Sequence, residues 1–140
     1  MKKIAIIAVF IVAIALVTIL YYYYGQTGDM GEQNETTYID VSTEEAKNLI
    51  DTNLDLIVID VSPHYDEGHL PGAVPYYLGD GSLDAALPSL DPNGEYLVYC
   101  HVDSVAIAGA QKLIDAGFKT VYRLEGNYGA WKAAGYPIEM

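Results

Sequence analysis

Glu95-Tyr96-Leu97-Val98-Tyr99-Cys100-His101-Val102-Asp103-Ser104-Val105-Ala106 is the stretch on which the reading of this chain turns. The turn dipeptide Asn93-Gly94 introduces a short apolar run rich in Tyr and Val, which predicts a buried strand ending at Cys100, the only cysteine in the chain. From Ser104 onward the apolar positions Val105, Ala108, Leu113 and Ile114 take helical spacing, and Gly117 closes the segment as a C-terminal cap residue. Cys100 is therefore expected to open a strand-loop-helix turn. In an open α/β sheet, ligands bind beyond the carboxyl ends of the strands, where a helix N-terminus offers unpaired N–H groups and positive partial charge. Such a place lowers a thiol's pKa and holds an anion. The competing reading is a buried structural cysteine, since free Cys is among the most buried residue types. A position directly between strand and helix favours the reactive reading.

Working outward, strand and helix alternate. Tyr38-Ile39-Asp40-Val41 predicts a short strand, and Ser42-Thr43-Glu44-Glu45 has the spacing of a capping box for a helix through Ile50. Asp55 to Val61 is a nearly continuous apolar run of the kind a mid-sheet parallel strand shows. Ser62 to Glu67 predicts a short helix, Gly68 to Ala73 a turn-rich loop, and Val74 to Tyr77 a small strand. A weak helix around Leu83 to Leu90 is disturbed by Pro88. Lys119 to Leu124 predicts a further strand, and Gly129 to Ala134 a last helix stopped by Gly135 and Pro137. The pattern implies a parallel-sheet α/β domain of about 100 residues.

Several segments carry a resemblance. They are Asp60-Val61, Tyr65-Asp66-Glu67-Gly68-His69-Leu70-Pro71-Gly72-Ala73, Val98-Tyr99-Cys100 and Ala116-Gly117-Phe118. Val121 to Gly126, Ala130-Trp131 and Ala133 to Pro137 complete the set. In this order and spacing, from about Tyr38 to Ile138, the chain resembles the single-domain rhodanese (sulfurtransferase) family. The resemblance implies a central parallel sheet flanked by helices, with the cysteine at a strand end carrying persulfide sulfur.

The active loop departs from that family's pattern of Cys-Arg-x-Gly-x-Arg-Ser, whose arginines and backbone N–H groups cradle an anionic donor and the persulfide. Here His101 and Val105 stand at the arginine positions and Asp103 at the glycine, with Val102, Ser104 and Ala106 completing a loop of unchanged length. Ser62 stands where the family often has Arg after Asp-Val. None of these loop residues is proline, so every backbone N–H is expected to remain available for a thiolate or persulfide. An anionic donor loses its guanidinium partners and is expected to meet the Asp103 carboxylate, which would also raise the thiol's pKa. His101 restores a charge only when protonated, and a neutral imidazole bonded to backbone is the expectation at neutral pH. The related phosphatase and arsenate-reductase loops are one residue longer and closed by arginine, where this chain has Ala106. Asp60 and Glu125, at strand ends, are expected to order loops rather than to act as acid or base, and Trp131 to pack in the core. No pair among His64, His69, His101 and Cys100 has ligand spacing, so neither a metal nor another cofactor is expected.

The N-terminal part reads differently. Lys2 and Lys3 precede an apolar run from Ile4 to Leu20, and Tyr21 to Tyr24 follow it at the expected depth of a membrane–water boundary. Residues 1–24 are expected to form a membrane anchor or signal segment that touches the membrane through residues 4–24. No small-x-small cleavage site follows the run, which favours a single-pass anchor over a cleaved signal peptide and secretion. The two lysines hold the N-terminus in the cytoplasm and place the domain outside. Residues 25–37 are polar, acidic and Gly-bearing, a flexible tether, and residues 38–140 are the domain. With Lys2 and Lys3 set aside, 19 acidic residues face 5 basic ones, a net charge of −14. Nucleic acid is therefore not expected as a partner. A lone cysteine excludes an internal disulfide. The expectation is an extracytoplasmic sulfane-sulfur carrier or transferase acting through Cys100 on a small sulfur donor or a protein persulfide. The alternative is a catalytically silent binding or scaffold module of the same fold.

Overall fold

A computed structural model describes residues 13–22 and 37–140. The chain divides into two units, residues 1–35 and 36–140. In the first, the described residues 13–22 form a helix (α1) whose side chains, Ile14, Leu16, Val17, Ile19 and Leu20 among them, are all exposed. Among the described residues no helix is long and apolar enough to cross a membrane. Residues 4–12 and 23–24 of the expected span, and all of the expected tether but Thr37, lie outside the described residues.

In the second unit, five strands form one sheet: β1 (Ile39–Val41), β2 (Ile57–Asp60), β3 (Val74–Pro75), β4 (Glu95–Tyr99) and β5 (Thr120–Leu124). They lie in the order β1-β5-β4-β2-β3, and every pairing is parallel. The run around Ile57, expected at mid-sheet, lies inside the sheet as β2, paired on both sides with β4 and β3, and the middle strand of the five is β4. β3 is two residues rather than four. It is an edge strand and Pro75 donates no ladder hydrogen bond, so the chain follows β2 by single bonds, Tyr76 N–H to Asp60 C=O at 2.9 Å and Leu78 N–H to Val61 C=O at 3.2 Å.

Helices α2 (Thr43–Thr52), α3 (Ser82–Ala86), α4 (Asp103–Asp115) and α5 (Asn127–Ala133) cover the sheet. The expected capping box starts α2: the Ser42 Oγ accepts from Glu45 N–H at 3.3 Å and the Glu45 carboxylate accepts from Ser42 N–H at 2.8 Å. The expected weak helix is split, with α3 ending before a single 3-10 turn over Leu87–Ser89 that contains Pro88.

Strand periodicity divides the core. Along β4, Tyr96 and Val98 pack on the face covered by α4, with Ala106, Ala110 and Leu113. Leu97 and Tyr99 pack on the other face with Ala46 of α2 and Trp131 of α5. This is the period of two expected of a pleated strand. The α4 face is approached closely at Gly109, where a Cβ would stand 3.1 Å from the nearest methyl of Val61.

Candidate active site

Cys100 is the first residue past β4, and the strand's alternation carries its side chain into the α4-facing core, where the residue is 2 % exposed. Both of its main-chain groups are held by the corner between β5 and α5. Its N–H donates to Asn127 Oδ1 at 3.1 Å, and its C=O accepts from Tyr128 N–H at 3.0 Å. The backbone N–H groups of Val102 and His101, at the turn after the strand, favour the thiolate. Burial opposes them and is the larger effect, so the thiol pKa is pushed up, with the nearby Asp60 carboxylate adding to the rise.

α4 starts at Asp103, one residue before the expected position, so Ser104, Val105 and Ala106 belong to the helix rather than to an open loop. The N–H groups of Val105 and Ala106 both donate to Val102 C=O at 3.2 Å. The expectation that every loop N–H stays available therefore fails for these two. Asp103, in place of a glycine, suits a first helical turn, where its charge meets the positive end of the helix. Ala106 is fully buried, Val105 packs partly against the core, and Val102 at the helix entry is 54 % exposed.

Asp103 is also not where the loop pattern suggested. Its Oδ1 accepts from Arg123 Nη1 at 2.7 Å and from Asn127 Nδ2 at 2.9 Å, so its charge is met by the guanidinium. The thiol is pushed up by burial and Asp60, and the expectation that Asp103 does so is corrected. Arg123 is the only arginine in the chain. It is 6 % exposed, and its Nε also donates to Asp40 at 2.6 Å. Two carboxylates thus occupy it, one at Nε and one at Nη1.

His101 falls on the opposite side of the β4 line from the sulfur. Its ring stacks on Tyr128, with centroids 4.3 Å apart, and lies 5.2 Å from the ring of His64. Burial lowers its pKa, which keeps the imidazole neutral, as expected. The expected backbone bond is not made at Nε2, which is buried without a partner. Asp60 is fully buried at the end of β2. It accepts from Ser62 N–H at 2.8 Å and from the Tyr99 hydroxyl at 2.9 Å, and that hydroxyl in turn accepts from Leu70 N–H at 3.1 Å. Glu125 donates its N–H to Val41 C=O at 2.9 Å, while the residue itself is exposed. Among the described residues, no group of three or more His, Cys, Asp and Glu side chains is placed to hold a metal ion.

Two clefts open near this end of the sheet. One, of about 350 Å³, is lined by His101, Asp103, Arg123, Glu125, Gly126 and Asn127. The other, of about 320 Å³, lies along Ser62, Pro63, Tyr65 and Tyr77. Cys100 lines neither.

Residues 42–134 match the family model of the rhodanese-like domain. The chain belongs to the rhodanese family. This rhodanese-like chain is 33 % identical over 98 residues to the thiosulfate sulfurtransferase GlpE of Coxiella burnetii (strain RSA 331 / Henzerling II), covering 69 % of this chain and 89 % of that one. It is similar to the crystal structure of the Alr3790 protein from Anabaena sp., with a TM-score of 0.65 and 28 % identity over 71 % of this chain and 81 % of that one. The polysulfide-sulfur transferase homodimer from Wolinella succinogenes shares the fold, with a TM-score of 0.61 and 24 % identity over 86 % of this chain and 92 % of that chain.

Within this rhodanese-like domain, sequence reasoning passes over Asn127 and meets Arg123 only as part of a motif. Signals for both exist. Arg123 lies two residues beyond the inward-facing Val121 on a buried strand, and a charge there demands partners. Gly126-Asn127 ahead of a helix marks a tight corner, and both residues adopt left-handed backbone, at φ 69° and 56°.

Proposed function

We propose that this rhodanese-like protein carries or hands on sulfane sulfur through Cys100, with weak or no activity towards thiosulfate. The observation that supports this reading is the place of Cys100 between the end of β4 and the start of α4, where the Val102 and His101 N–H groups favour its thiolate, while the only arginine is held by Asp40 and Asp103. Amides stabilise a thiolate or persulfide without guanidinium help. An anionic donor is disfavoured: losing two charge-assisted hydrogen bonds, each worth about 1.5–3 kcal/mol, costs roughly two to four orders of magnitude in affinity. The suitable donor is a neutral small or protein-bound persulfide. The Cys100 thiolate attacks the donor's outer sulfur, the donor's S–S bond breaks, and its inner sulfur leaves with the electron pair and takes up a proton. Cys100 ends as the persulfide and the donor as a thiol, with no net oxidation. The Coxiella relative is named a thiosulfate sulfurtransferase; sulfur transfer is taken over here and the thiosulfate preference is not.

The burial of Cys100 and its raised pKa favour a second reading, a catalytically silent scaffold module. Intact-mass measurement after polysulfide treatment separates the two. The carrier gains about 32 Da, the mass of one sulfur atom, and Cys100→Ser gains nothing. No gain in the wild type leaves the scaffold reading.

We further propose that the domain is held outside the cytoplasm by a single-pass anchor. Lys2 and Lys3, the apolar run and the tyrosine cluster support this. Right-side-out vesicles from cells expressing the full chain are expected to lose the domain to added protease. A protected domain would overturn the location.

A further inference from the structure

We propose that Asn127 is a positioning residue that sets how readily Cys100 meets a sulfur donor; this deepens the reading of Cys100 as the sulfur-carrying residue and rests on it. A residue 2 % exposed reacts only when the turn over residues 100–103 moves. Among the described residues, Asn127 is the one side chain that bonds both ends of that turn. Its Oδ1 takes the Cys100 N–H at 3.1 Å, and its Nδ2 gives to Asp103 Oδ1 at 2.9 Å. Only one orientation of the carboxamide serves both, because a main-chain N–H can only donate and a carboxylate only accept.

The hold extends beyond the turn. The same Asp103 oxygen accepts from Arg123, which is tied to Asp40 on β1, so the turn is fastened through Asn127 and Asp103 to the far edge of the sheet. Asn127 itself is 4 % exposed and sits at φ 56°, a conformation glycine adopts freely and a side chain adopts at a cost. Its two bonds hold an asparagine there. It touches the main chain of Cys100 and the Asp103 carboxylate rather than the sulfur, so it orients the thiol and takes no part in the transfer.

Alkylation of Cys100 by iodoacetamide under native conditions, on the full chain in detergent, tests this. Asn127→Gly keeps the backbone conformation without strain and deletes the carboxamide. It is expected to raise the alkylation rate about tenfold or more, because the closed turn alone loses those bonds. Asp103→Ala is expected to act in the same direction, and the double variant to fall short of the product of the two effects, since both cut one chain of contacts. Phe118→Leu, at the opposite end of β4 beside Tyr96, lowers global stability and is expected to leave the rate unchanged. An unchanged rate in Asn127→Gly, or an equal rise in Phe118→Leu, would overturn the inference. Faster alkylation of Asn127→Gly with no sulfur gained by any variant would uphold the positioning role and sink the sulfur-transfer reading instead.

Discussion

Arg123 Nη1 lies 2.7 Å from Asp103 Oδ1, joining the end of β5 to the first turn of α4. The arginine residue is nearly buried while the Asp103 side chain is 61 % exposed, so the pair is screened on one side only. Asp103→Asn keeps the shape and removes the charge, leaving Arg123 with Asp40. The expected loss is about 1–2 kcal/mol in urea unfolding, discounted from a fully buried pair because solvent reaches Asp103. The gap between variant and wild type should narrow at high salt. A difference that persists undiminished in 1 M salt (roughly a 3 Å screening length) would mean that packing, not charge, links the two elements.

The thiol gives the fold an alkaline sensitivity. Burial raises the folded pKa of Cys100 above its unfolded value of about 8.5, so the stability tied to the neutral thiol is complete below that value. It is lost as the pH rises through the window up to the folded pKa, where the unfolded chain has released a proton that the folded one still holds. Urea midpoints between about pH 7 and 10 should fall less steeply in Cys100→Ala than in the wild type. Parallel slopes would place the thiol in contact with water.

His101 works in the opposite direction. Its folded pKa is lowered by burial, so its contribution is present above the unfolded value of about 6.5 and is lost as the pH falls through the folded one, because the unfolded state takes up the proton first. His101→Phe preserves the stack on Tyr128 and removes the titration. Its stability should vary less than the wild type's between about pH 5 and 7.5. Equal dependence in the two proteins would assign the acid sensitivity to other groups.

Tyr99 bridges Asp60 and the loop after it through one hydroxyl, 2.9 Å from the carboxylate and 3.1 Å from Leu70 N–H. Tyr99→Phe leaves a buried carboxylate oxygen and a buried N–H without that partner. The expected cost is about 2–4 kcal/mol, read as a lower thermal midpoint. A shift matching less than about 0.5 kcal/mol would show that the bridge is replaceable.

The parallel α/β architecture, its alternation of elements and the place of the thiol at a strand end were legible along the chain, because each rests on short-range pattern. The apolar run from Tyr96 to Tyr99, the capping box at Ser42 and the glycine closing α4 need only a few neighbouring residues to be recognised. What Asp103 does was decided by the tertiary structure alone. As a loop residue beside Cys100 it reads as a repulsive charge, but parallel pairing of β4 with β5 brings Arg123 alongside Val98, and the corner after β5 brings Asn127 within reach. Those partners stand 20 and 24 positions further along the chain. The burial of the sulfur has the same origin. Local sequence sets which way the side chain points, while how much water remains above it depends on elements folded in from elsewhere.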